Sequence, residues 1–196
     1  QKNRPLWLET LKHEKYKPKS YFLGVGSAIS LEDAQLDAMA VISNQINSNI
    51  IASRQAKSTE IDQELSDFFE KQAKVSSENK LQNVQFVEQF YDKEEDYYYV
   101  FSVLKKSSYK ASLNSQIKIT ESSLKRTNQN YEKYKQEGKK YLQLVEMVKF
   151  INFFRQYERD SEKISTVFGR SNQLSQGHSQ VFRKVKLNLS KLSFLS

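Results

Sequence analysis

The stretch Tyr21–Ile46, "YFLGVGSAISLEDAQLDAMAVISNQI", decides how the chain folds. A run of apolar residues, Tyr21–Val25, reads as a buried strand. Gly24 and Gly26 read as a strand-to-helix turn, allowing backbone conformations that a side chain would obstruct. Ser30 is the expected helix N-cap, with Glu32 and Asp33 at the positive end of the helix dipole. Leu31, Ala34, Ala38, Ile42, Ile46 and Ile50 then recur at spacings of three and four along one helix face. Alanines at the start of that face let the helix lie close to a sheet.

A glycine pair between strand and helix also suggests a phosphate loop, and the residues argue against one. The dinucleotide fingerprint G-x-G-x-x-G needs its third glycine where Ile29 stands. A P-loop needs a Gly-Lys-Ser/Thr ending, and no lysine lies between Lys19 and Lys57. Glu32 and Asp33 would moreover repel an anion at that helix end. "GVGSA" also lacks the last glycine of a hydrolase elbow, G-x-S-x-G. No cofactor is expected, and no catalytic residue.

Beyond that helix, "IIASRQAK" (50–57) suggests a second strand, and Ile61, Leu65, Phe68, Phe69 and Gln72 a short amphipathic helix. "NVQFVEQFY" and "YYYVFSVLK" flank "DKEED", the pattern of a β-hairpin. Glu94, Glu95 and Asp96 then occupy a loop in which carboxylates are ordinarily solvated. The expectation up to Lys105 is an α+β fold: a small antiparallel sheet with helices packed on one side.

After Lys106 the pattern changes. Leu113, Ile117, Thr120, Leu124, Thr127, Tyr131 and Tyr134 step by four and three, the spacing of a helix seam. Gly138 marks a turn, and "YLQLVEMVKFINFFRQY" (141–157) is apolar nearly all round. The expectation is a helical hairpin from about 107 to 168, capped by Gly169. The end, "SQVFRKVKLNLSKLSFLS", fits a helix and a strand equally.

The totals bound the functions. Within 196 residues there are no cysteines and only two histidines, which excludes a disulfide framework, a thiol nucleophile and a cysteine-ligated zinc. The net charge of +8 is unevenly spread. Residues 1–20 carry six Lys/Arg against two Glu, residues 21–105 seven against fourteen, and residues 106–196 eighteen against seven. The predicted organisation is therefore a tether at 1–19, with Leu6, Trp7 and Leu8 docked on the domain, an acidic α+β module at 20–106 and a basic helical extension at 107–196. No apolar run is long enough to span a bilayer and no signal peptide opens the chain, so it is either cytosolic or a mature form without its leader.

The candidate interaction residues lie in the extension: Phe150, Ile151, Phe153, Phe154 and Tyr157, with Lys133, Lys139 and Lys140. Burial within the chain is the plainer reading of the aromatic ones, and a solvated face that of the lysines. An acidic membrane surface is the next reading for the basic face, and nucleic acid a remoter one.

"PLWLE", "YFLGVGSA", "DAQLDAMAVISNQI" and "VEQFYDKEEDYYYVFSVL", taken together, resemble the bacterial LPP-twenty lipoproteins over residues 4 to about 106. The resemblance implies a dodecin-like module, with a helix on a three-stranded sheet. It implies a lipid on a cysteine upstream of Gln1 and an outer-membrane location in the cell envelope, periplasmic or surface-exposed. It carries no catalytic residue. The function it implies is a non-enzymatic structural or protein-interaction module of outer-membrane or flagellar assembly, working with an envelope protein or by self-association. The alternative is an anion-binding module acting through the basic helical tail.

Overall fold

The computed structural model describes residues 4–55, 81 and 83–169. Among them the elements are α1 (Leu6–Thr10), β1 (Tyr21–Ala28), α2 (Leu31–Gln55), β2 (Gln85–Asp92), β3 (Tyr97–Lys105), α3 (Lys106–Gln136) and α4 (Lys140–Phe168). The chain forms two compact units, Gln1–Ala111 and Ser112–Ser196. The fold class is α+β, with an antiparallel three-stranded sheet and a helical extension.

In the first unit the strand order is β1-β3-β2, so β3 is central and pairs antiparallel with both neighbours. Its five consecutive buried residues, Val100 to Leu104, follow from that position, because both sheet faces are covered. One face takes α2, whose stripe Ala34, Ala38, Ile42, Ile46 and Ile50 is buried as the spacing predicts. The other takes the N-terminal segment. Trp7 packs there with Leu23, Phe101 and Val103, its ring 5.5 Å from that of Phe101. The sheet is therefore clad on both sides, not on one.

Gly24 and Gly26 are not at a turn. Both lie inside β1, on the face turned to α2. A Cβ on Gly24 would stand 2.4 Å from the carbonyl oxygen of Ala38, and one on Gly26 2.1 Å from its amide nitrogen and 2.2 Å from the Ala34 oxygen. The glycines are required because the helix backbone lies directly on the strand, with Ala34 and Ala38 as the matching small residues. Ser102 completes the contact: its buried hydroxyl lies 3.1 Å from the Gly24 carbonyl and 3.2 Å from that of Ala38.

The strand expected at 50–57 is absent over the residues described, since α2 runs on to Gln55. No glycine or proline interrupts it, and Ile50 continues the Ile42–Ile46 stripe, so helical periodicity outweighs the β-preference of paired isoleucines. The helix expected around 61–72 and the ambiguous segment 179–196 lie outside the described residues.

In the second unit α3 and α4 form the hairpin. Gly138, at φ 67°, turns the chain between them, and Gly169, at φ 66°, caps α4. The seam residues Leu113, Ile117, Thr120, Leu124 and Thr127 are buried, with Tyr131 and Tyr134 half-buried. Tyr157 on α4 senses the charge of Glu121 on α3, at a similar distance from the turn, as antiparallel packing requires. Burial, with that charge as a lesser cause, raises the Tyr157 hydroxyl above its usual pKa.

Candidate functional site

The residues that most shape the first unit are those of the N-terminal segment and the carboxylates that hold it. Pro5 starts α1, and Leu11, in the left-handed region at φ 54°, ends it after a turn and a half. This lays Trp7 into the sheet face as its buried anchor. Leu8 packs beside it, whereas Leu6, expected to dock as well, is 64% exposed because it points outward from the short helix.

Glu88 receives two donors from this segment. The Trp7 indole N–H bonds one carboxylate oxygen, and His13 Nε2 lies 2.8 Å from the other. The His13 Nδ1 faces the backbone N–H groups of Lys15 and Tyr16 at 3.1 and 3.3 Å, so it accepts, and the neutral ring carries its proton on Nε2. The imidazole also stacks on Phe101, 5.4 Å away and 9° from parallel. Both nitrogens are occupied, and a fastened ring of this kind has no lone pair to offer as a base. A β-bulge makes the arrangement possible: Phe86 pairs with Ser102 and Glu88 with Phe101, leaving Val87 as the extra residue. Val87 and Glu88 thereby both serve the Trp7 face, which strict alternation would forbid.

A second clamp lies at the β2–β3 loop. Arg4 Nε donates to Asp92 at 2.9 Å, its Nη2 bonds the same oxygen, and Nη2 also reaches Glu95 at 2.6 Å. The other Asp92 oxygen accepts the backbone N–H groups of Glu94 and Glu95 at 3.0 and 3.3 Å, shaping the turn. The Arg4 hydrogen bond, aided by those N–H groups, holds Asp92 below the usual carboxylate range. The Tyr99 hydroxyl and then Arg4 do the same for Glu95, and Glu95 in return raises Tyr99. Asp96 likewise raises the Tyr91 phenol that donates to it. The loop carboxylates are therefore not merely solvated: Glu95 and Asp96 are bonded and Glu94 is exposed. Among the described residues, no three His, Asp or Glu side chains converge to hold a metal.

The remaining predicted residues separate. The Ser30 hydroxyl accepts the Asp33 N–H at 3.1 Å, at the start of α2. Phe150, Phe154 and Tyr157 are 2–3% exposed and fill the interior of their unit, so they present no surface. Ile151 and Phe153 are half-buried, while Lys133, Lys139 and Lys140 are exposed near the α3–α4 turn. Sequence reasoning missed Arg4, His13, Glu88 and Asp92. Arg4 and His13 lie 75 to 91 residues from the carboxylates they bond, and only the density of charge in "DKEED" hinted at them.

The family model described as LPP20 lipoprotein matches residues 5–105, just over half of the chain. The chain belongs to the LPP20 lipoprotein family. The matched span opens beside Trp7 and closes at the last residue of β3, so it covers the strapped sheet and ends where the extension begins. The LPP20 family is a family of envelope lipoproteins not known as enzymes. Among solved structures, the chain is similar to the crystal structure of a secreted protein, HP1454, from the human pathogen Helicobacter pylori. That match has 18% identity and a TM-score of 0.49, over 85% of this chain and 59% of that one. No curated protein matches.

Proposed function

We propose that this chain is a non-enzymatic outer-membrane lipoprotein, anchored by a lipid upstream of Gln1 and acting as a structural or protein-interaction module. In this reading the N-terminal segment is a strap, residues 20–106 are the scaffold, and the extension 107–196 is the docking arm. The observation that carries the reading is the clamped strap in a member of the LPP20 family. A loose tether would let the module roam. A strap held at Arg4, Trp7 and His13 keeps the sheet a fixed short distance from whatever precedes it.

The test is to express the gene with its natural upstream sequence in a bacterium supplied with radiolabelled fatty acid. The expected result is labelled protein that follows the outer membrane on a density gradient. Unlabelled protein in the soluble fraction would refute the anchored reading.

A further inference from the structure

The outer face of α4 carries an apolar stripe in the wrong place for a solvated helix. Tyr141, Leu144 and Val148 are 76%, 44% and 50% exposed. Their spacing, i, i+3 and i+7, sets them along one line of the helix, on the side away from buried Phe150, Phe154 and Tyr157. At the same end stand exposed Lys133, Lys139 and Lys140. Glu132 is half-buried, and Glu137 and Lys139 offset each other in a 2.8 Å pair, so Lys133 and Lys140 leave the exposed surface at this end of the hairpin net cationic.

From this arrangement we infer that the tip of the α3–α4 hairpin docks on an anionic phospholipid surface. This deepens the docking role proposed above by naming the surface that the arm meets. Lysines beside an apolar stripe match a bilayer interface: ammonium groups pair with the anionic headgroups while tyrosine and aliphatic side chains enter the acyl boundary. Among the described residues no helix is long and apolar enough to cross a membrane, so α4 lies in the interface. A second copy of the chain is a poorer occupant. A stable protein interface buries roughly 1,200 Å² or more, which three partly exposed side chains do not approach, and two such tips would bring their lysines together.

The experiment uses the purified 196-residue chain, which carries no lipid, so its result is independent of the anchoring test. Sedimentation with vesicles of phosphatidylcholine alone is compared with vesicles that also contain phosphatidylglycerol. The expected result is binding to the anionic vesicles only, weakening as salt rises. The double substitution Lys139→Glu with Lys140→Glu removes two lysines and weakens binding by at least roughly 25-fold, about fivefold per lysine. Because the chain has no cysteine, Val148→Cys takes a single environment-sensitive fluorophore, which shifts to the blue on the anionic vesicles. The same label at exposed Gln129 does not shift. Equal binding to both vesicle types, or binding that ignores the lysine substitutions, overturns the proposal. So does a lysine-dependent association in which the label at 148 stays in water, since the charges alone then hold the chain and the apolar stripe does not enter the interface. A Val148→Asp substitution that converts a dimer to a monomer overturns it in favour of self-association.

Discussion

The strapped sheet and the helical hairpin are held together by different grades of specificity. In the sheet unit, single positions admit one residue type: Gly24 and Gly26 face the α2 backbone at distances that leave no room for a methyl group. In the hairpin, most interior positions ask for no more than a residue that is apolar, or small and internally bonded. Thr127 sits 2% exposed in the seam, satisfied by its own helix through a 2.7 Å bond to the Ser123 carbonyl. Asp160 is fully buried, with Gln156 donating to one oxygen at 2.8 Å and Lys163 no nearer than 3.8 Å to the other. Backbone-on-backbone contact writes an exact residue into the sequence, whereas seam packing writes a pattern. The family model matches residues 5–105, the span of the sheet unit, and does not reach the extension.

Substitutions test the contrast. Trp7→Ala has the largest effect: it empties the strap's buried anchor and removes one of the two donors to Glu88, lowering stability by about 3–5 kcal/mol. Denaturant unfolding followed by circular dichroism is expected to show the sheet unit melting early while the hairpin helices persist. Gly26→Ala forces β1 from α2 and costs about 3 kcal/mol, the upper end for overpacking, because the obstacle is backbone. Loss of less than about 1 kcal/mol in the same assay would mean that α2 slides freely on the sheet.

Acid acts more mildly, through Asp92 and Glu95. Both carboxyls titrate lower when folded than when unfolded, so their contribution to stability is complete above the ordinary carboxylate range, near pH 4. It is lost as pH falls through their folded values. Arg4→Ala is expected to flatten this dependence, seen as melting temperatures that converge with the parent's as the pH is lowered below 4. Thr127→Val is the smallest, within about 1 kcal/mol either way, because the hydroxyl bonds only its own helix. A large loss there would show that the hairpin is as exacting as the sheet.

What could be read in advance follows the same division. The β2–β3 hairpin was legible because aromatic and β-branched runs flank a charged loop, and the α3 seam because its period is helical. The Ala34–Ile50 stripe was legible too, though not that the helix carrying it runs on to Gln55. Glycine was ambiguous, since it serves equally for positive φ and for close approach. Only knowing what lay on Gly24 and Gly26 separates the two. The clamps at Glu88 and Asp92 were hidden for another reason: no local pattern ties Arg4 or His13 to carboxylates so far along the chain. Of the aromatic residues considered for contact, Phe150, Phe154 and Tyr157 lie in the interior, the plainer of the two readings, because the same periodicity that makes a sticky face also makes a core.

The order of contacts along the strap has a mechanical side. A force applied at the amino end meets the Arg4 clamp first, then the Trp7 socket, then the His13 stack, and only afterwards the hydrogen bonds of β1 with β3. The segment is thus arranged to be peeled in stages rather than sheared at once, yielding length under modest load while the sheet behind it keeps its shape.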